Sequence, residues 1–200
     1  MVWYENDVKK LEAITGTLSY APQTVFYGSS SIRLWAGLYE DFKSMQPVNL
    51  GFGGATLAAC VWFFDRIMQP YQPRHMVCYA GDNDLGDGRT PEEVYIFFRQ
   101  LLVCLHRRFP ETTFTFISIK PSIARWNMVN QIRYTNELIS KAIWESGNQY
   151  YINVFDSMVD GNGHPIRDLF EADGLHLSSK GYLVWKEMLL QHFASNLTIS

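Results

Sequence analysis

The sequence predicts an α/β fold, a three-layer α/β/α sandwich on a five-stranded parallel sheet. Three observations lead there. Short apolar, β-prone runs at 24–27, 47–50, 75–80, 113–119 and 150–155 alternate with segments of helical periodicity. Those helical segments run to roughly a dozen residues or more, the length that a crossover between parallel strands requires. No linker, internal repeat or low-complexity tract interrupts the 200 residues, so one domain spanning 1–200 is expected.

Each element has its own local reason. Val8, Leu11 and Ile14 lie at helical spacing within 4–15. The first strand runs into Gly28-Ser29-Ser30-Ser31, and a helix opening with Ile32, Leu34 and Trp35 is expected to reach about Met45. A serine there fits a helix cap, the commoner role in such turns, and also fits a nucleophile raised on a strand-to-helix turn; were Ser30 the nucleophile, Ser31 would be left as the candidate cap. The second strand ends in Gly51-Phe52-Gly53-Gly54, and a buried helix from Ala55 to about Gln69 follows. The third runs into Gly81-Asp82-Asn83-Asp84. Thr90 is a natural N-cap, with Pro91 at the first helical position and Glu92 and Glu93 in the first turn. Val94, Phe98, Leu101 and Leu105 then form one apolar stripe. The fourth strand stops at Lys120-Pro121. A helix over 129–145 is expected to end at Gly147, and the fifth strand follows it. A polar loop leads to Asp173-Gly174-Leu175-His176, and a final helix over 179–195 buries Tyr182, Trp185, Leu189 and Phe193.

Composition removes several function classes. Apolar residues make up 47% and charged residues 18%, with a net charge of −3 and no basic run, which argues against nucleic-acid binding. Cys60, Cys78 and Cys104 sit in apolar segments without metal-ligand spacing and read as buried thiols. No stretch of ~18 apolar residues exists, so no integral membrane segment is expected. The N-terminus lacks the pattern of a signal peptide, so a cytoplasmic location is expected, although a chain trimmed of its signal would look the same. Assembly into a homo-oligomer stays open.

In an open parallel sheet, ligands bind beyond the carboxyl ends of the strands. The residues just past those ends are Ser29–Ser31, Gly51–Gly54, Gly81–Asp84, Lys120–Ser122 and, further on, Asp173 and His176. A serine hydroxyl needs a base to become a nucleophile. Of five histidines, His176 falls at the crevice, and His164 in the long loop is the reserve. Asp173, three residues earlier, can reach His176 Nδ1 and hold the imidazole, though Asp-Gly-Leu-His equally fits a capped turn. The Gly54 N–H, the Asn83 amide and the Ser30 N–H are candidate donors to an oxyanion. Taken singly, the glycines also fit a tight turn or phosphate loop, and Asn83 a turn amide. The glycine spacing does not match a dinucleotide fingerprint.

These residues resemble the blocks of the SGNH hydrolases, the GDSL-like esterase and lipase superfamily. Gly28-Ser29-Ser30 is similar to the first block, usually Gly-Asp-Ser, and the resemblance places the nucleophile on Ser30. Gly51-Phe52-Gly53-Gly54-Ala55-Thr56 resembles the second, with its oxyanion glycine at Gly54. Gly81-Asp82-Asn83-Asp84 matches the third, with the oxyanion amide at Asn83, and Asp173-Gly174-Leu175-His176 matches the last. All four occur in the family's order over 28–182, and the compact layout resembles the branch of the platelet-activating-factor acetylhydrolase catalytic subunits. Two positions depart from the pattern: Ser29 and Ala55 each stand where an Asp is usual.

The resemblance implies the flavodoxin-like sheet of that superfamily and a serine esterase or acylhydrolase. Ser30, Asp173 and His176 would be catalytic, with Ser30, Gly54 and Asn83 in the oxyanion hole and no cofactor or metal. The expected partner is a small-molecule ester, a short acyl or acetyl ester of a lipid, sugar or small alcohol. Trp126, beyond the fourth strand, is a candidate substrate-binding wall, and ordinary packing fits it as well. The alternative function is a non-catalytic sugar- or acyl-binding module on the same fold. A flavin or nucleotide domain is a third reading, from fold alone.

Overall fold

The computed structural model describes residues 1–146 and 149–196. Its sheet holds five parallel strands in the order β2-β1-β3-β4-β5. These are β1 Thr24–Gly28, β2 Pro47–Gly51, β3 His75–Tyr79, β4 Thr113–Ile117 and β5 Gln149–Ile152. The α-helices, in chain order, are α1 Glu5–Ile14, α2 Ser30–Arg33, α3 Leu38–Asp41, α4 Leu57–Ile67, α5 Asp82–Gly86, α6 Pro91–Arg108, α7 Val129–Trp144, α8 Val154–Ser157 and α9 Ser179–Asn196. The sandwich and sheet expected from the sequence are both present. The Gly147 stop signal lies outside the described residues.

Alternation along the strands makes two cores. Val25, Tyr27, Met76, Cys78, Phe114 and Phe116 point to the face covered by α1, α4, α6 and α7. Phe26, Val77, Tyr79 and Ile117 point to the other, under Trp35, Phe42, Trp185 and Phe193 of the α2–α3 segment and α9. The three cysteines are free and buried. Among the described residues no helix is long and apolar enough to cross a membrane.

The helix expected to reach Met45 is broken into α2, α3 and a 3₁₀ turn, Lys43–Met45. Its buried residues, Ile32, Trp35, Leu38, Phe42 and Met45, recur mostly every third residue. The chain follows that spacing with tight turns, Trp35 N–H to Ile32 O at 3.1 Å and Leu38 N–H to Trp35 O at 3.2 Å.

Three strands end earlier than their apolar runs, β3 by a single residue and β4 and β5 by more. Beyond β4, both backbone groups of Ile119 are taken by the Asn136 carboxamide of α7, each at 2.8 Å, instead of by a neighbouring strand. Beyond β5, Asn153 caps α8, and the Ser118 hydroxyl accepts the Val154 and Phe155 N–H groups at 3.0 and 3.2 Å. The Thr90 start holds as expected. Its hydroxyl accepts Glu93 N–H at 3.3 Å, while the Glu93 carboxylate accepts Thr90 N–H at 2.8 Å.

Candidate active site

The strand order reverses between β1 and β3, so the crevice lies at the carboxyl ends of these neighbours. Gly28 closes β1 with φ +134°, and a Cβ there would run into the Tyr79 carbonyl oxygen. The Ser29 N–H donates to that same oxygen at 2.9 Å, which fixes the turn against β3. Ser29, not Ser31, occupies the N-cap of α2, and its buried hydroxyl has no partner among the described residues. Ser31 lies inside the first turn, where its carbonyl accepts the Tyr182 hydroxyl at 3.0 Å. Ser30 is thereby left half-buried at the helix start with its side chain toward His176.

The Ser30 Oγ stands 3.2 Å from His176 Nε2, and His176 Nδ1 stands 2.6 Å from Asp173 Oδ2. The other Asp173 oxygen accepts the Leu175 and His176 N–H groups at 2.8 and 3.0 Å. The bond from His176, joined by these two amides, holds the Asp173 carboxyl down at about 2. A carboxylate can only accept, so neutral His176 carries its proton on Nδ1 and presents Nε2 as acceptor to the Ser30 hydroxyl. The block is itself held by backbone, with Glu171 N–H donating to His176 O at 2.8 Å.

Besides the Ser30 N–H at the start of α2, the oxyanion candidates lie on the loop after β2 and on α5. Gly54 has φ +66° and open space where a Cβ would be. The Phe52 N–H donates to Gly28 O at 2.9 Å, tying this loop to the serine turn. Asn83 lies on α5, a single helical turn where the sequence suggested only a loop. Its Nδ2 donates to Ala55 O at 3.0 Å, and its Oδ1 accepts from Arg125 at 3.0 Å.

Several supporting residues were not singled out from the sequence. The Tyr4 hydroxyl donates to Gly54 O at 3.0 Å, and Asp7 accepts Gly53 N–H at 3.3 Å, so the N-terminal segment braces the glycine loop. The buried Asp84 carboxylate accepts Leu57 N–H at 2.8 Å at the start of α4. Such partners are distant in sequence and carry no local signature.

Burial pushes the Asp84 carboxyl up to about 6, against the Leu57 N–H and Arg89, which hold it down. The folded chain then binds this proton more tightly than the unfolded chain, where Asp titrates near ~3.9. Stability therefore falls as pH rises from about 4 to about 6, by up to about 2–3 kcal/mol. Asp84→Asn should remove this dependence. Urea denaturation of both proteins across that window should find wild type losing ground to the variant as pH rises, and a constant difference would contradict the account.

His164 does not approach Ser30 in place of His176; its ring packs against Trp126 at 5.7 Å. Trp126 is half-buried on a 3₁₀ turn against the core. It is not among the residues lining the groove of about 550 Å³ beside His176. That groove has an apolar wall of Leu34, Trp35, Leu177 and Leu183, and the Lys186–Asp41 ion pair (2.7 Å) at its side.

A sequence model of the GDSL-like Lipase/Acylhydrolase family matches residues 23–184, most of the chain and every block of the site. The chain belongs to the GDSL-like lipase/acylhydrolase family. A search of curated proteins finds no match. Solved structures do match. A Streptococcus pneumoniae protein, provisionally assigned as a platelet activating factor, has TM-score 0.84 at 22% identity over 94% of this chain and 91% of that one. A GDSL-like lipase from Bacteroides thetaiotaomicron has TM-score 0.79 at 18% identity, covering 95% and 98%. A carbohydrate esterase of family 3 from Talaromyces cellulolyticus has TM-score 0.70 at 15% identity, covering 88% and 99%. At these identities the likeness establishes the shared fold. The family match makes this GDSL-like protein a hydrolase of the esterase type. Ser29 and Ala55 remain departures from the GDSL pattern, and both are buried.

Proposed function

We propose that the chain, working as one domain, is a serine esterase that cleaves a short acyl or acetyl ester of a lipid, sugar or small alcohol through an acyl-enzyme on Ser30. The observation that carries the proposal is the unbroken chain Ser30 Oγ, His176, Asp173, at 3.2 and 2.6 Å. Ser30 Oγ attacks the ester carbonyl carbon as its proton passes to His176 Nε2, and ionised Asp173 stabilises the imidazolium. The carbonyl oxygen becomes an oxyanion that accepts from the Ser30 and Gly54 N–H groups and from Asn83 Nδ2. The carbon–oxygen bond to the alcohol breaks as His176 returns its proton to that oxygen. Water, deprotonated by His176, then releases the acid and restores Ser30.

The leaving oxygen must lie within reach of His176, so the alcohol portion extends toward the groove that His176 lines. A volume of about 550 Å³ falls in the range of small-molecule sites. The test is release of p-nitrophenol from p-nitrophenyl acetate and its longer acyl homologues. Multiple turnovers on a short acyl ester are expected. No turnover on any member of the series would overturn the proposal.

A further inference from the structure

Asn83 can serve an oxyanion only in one of its two amide orientations. With Nδ2 toward the crevice it donates; flipped about its last torsion it presents a carbonyl oxygen and repels the developing charge. The ends of the carboxamide are told apart here by two opposite partners. The Ala55 carbonyl takes one Nδ2 hydrogen at 3.0 Å, and Arg125 Nη2 donates to Oδ1 at 3.0 Å. A flip would set an acceptor against Ala55 O and a donor against the guanidinium. In the orientation observed, the second Nδ2 hydrogen is left without a partner among the described residues.

Arg125 is itself held. Its Nη1 lies 3.3 Å from Asp82 Oδ2, and the same oxygen accepts from Lys120 Nζ at 3.1 Å. Lys120, whose side chain is 1% exposed, also donates to the Tyr79 hydroxyl at 3.1 Å. Burial alone would raise the Asp82 carboxyl, but Lys120 and Arg125 together hold it below the ordinary carboxylate range. The guanidinium occupies space that only glycine leaves at position 86, where a Cβ would crowd Arg125 Nη2. The Arg125 loop is pinned as well to the Asp173–His176 block, through Ala124 N–H to Gly174 O at 3.1 Å. Two cations and one carboxylate leave this cluster net positive on the oxygen side of the Asn83 amide. That charge draws electron density toward Oδ1 and strengthens Nδ2 as a donor.

We infer that Arg125 is a positioning residue for the reaction: backed by Asp82 and Lys120, it locks and polarises the Asn83 carboxamide so that its free N–H faces the oxyanion. The inference rests on the serine esterase reading above. Arg125 touches neither the nucleophile nor the base, and it acts through Asn83.

The test is a double-mutant cycle of Arg125→Met and Asn83→Ala on p-nitrophenyl acetate. Lys120 is a poor probe, because removing it strands a buried carboxylate and the variant risks not folding. Arg125 is better placed, with its side chain 18% exposed. Arg125→Met should lower kcat roughly 10–100-fold, less than or equal to loss of an oxyanion donor, with KM nearly unchanged. In the Asn83→Ala background the same change should cost under about threefold. Arg125→Lys, which keeps the charge and loses the planar fork, should restore kcat only in part. An equal loss of kcat in both backgrounds would overturn the inference, as would a rise in KM with kcat intact.

Heteronuclear NMR supplies a readout independent of turnover. The Asn83 side-chain amide pair, assigned by its absence from Asn83→Ala, should shift and broaden in Arg125→Met. An unchanged pair would overturn the inference whether or not the protein proves to be an esterase. Failure of wild type on every ester would overturn the esterase reading separately.

Discussion

Ser30→Ala is expected to lower kcat/KM on p-nitrophenyl acetate by up to ~10⁶-fold while leaving the thermal unfolding midpoint almost unchanged. The two halves of this result have separate causes. In the proposed mechanism the Ser30 hydroxyl forms the acyl bond, so its removal takes away the nucleophile itself. Among the described residues its bond is to His176, at 3.2 Å on a half-buried side chain, so its removal strands no buried group. The backbone bonds that build the turn, Ser29 N–H to Tyr79 O and Leu34 N–H to Ser30 O, do not involve the side chain. Because the proposed mechanism uses Ser30 and His176 as one unit, adding His176→Ala to Ser30→Ala should cost little more. A Ser30→Ala protein with a substantial fraction of wild-type turnover would remove Ser30 from the nucleophile role.

Asn83→Ala is expected to reduce kcat by roughly 10²–10³-fold with a smaller change in KM, the signature of a contact made mainly in the transition state. The loss has a structural accompaniment, since the Ala55 carbonyl and the Arg125 guanidinium both lose a partner. Asn83→Asp separates the two effects. An aspartate would keep a charged bond to Arg125 but would place negative charge against the oxyanion, so its kcat should fall at least as far as that of Asn83→Ala. Steady-state kinetics on one ester decides between them. Full kcat in Asn83→Ala would exclude it from the oxyanion hole.

The parts of this protein legible in the sequence are those that local chemistry dictates. Apolar runs of strand length alternating with helical stripes have few packing solutions, and the parallel sheet is one. Gly28, Gly54 and the Asp173–His176 spacing mark backbone turns and a short-range bond whose signatures lie in consecutive residues, although the close approach that requires Gly28 is to Tyr79 on β3. The misread stretches have nonlocal causes. Ile119 reads as strand, but it is Asn136, 17 residues further on, that takes its backbone. Ile32 to Met45 reads as one helix, yet the third-residue recurrence of its core positions tightens the chain into separate turns. The residues that support the site are of the same nonlocal kind. Tyr4 reaches Gly54 across fifty positions, and Arg125 reaches Asn83 across forty-two. Neither an arginine in a turn nor a tyrosine at a helix start announces such a partner, and only the folded sheet edge brings them together.

Ser30 is tested as the nucleophile most directly by covalent labelling of the wild-type protein with a p-nitrophenyl phosphonate ester, followed by mass spectrometry of its peptides. A phosphonate is attacked as an ester carbonyl would be but leaves a stable adduct, which removes any dependence on the rate of deacylation. One phosphonyl group per chain is expected, carried on Ser30, with p-nitrophenol released in equal amount and ester turnover lost in proportion to labelling. Adduct on any other residue, or full turnover by protein labelled at Ser30, would contradict the nucleophile role of Ser30.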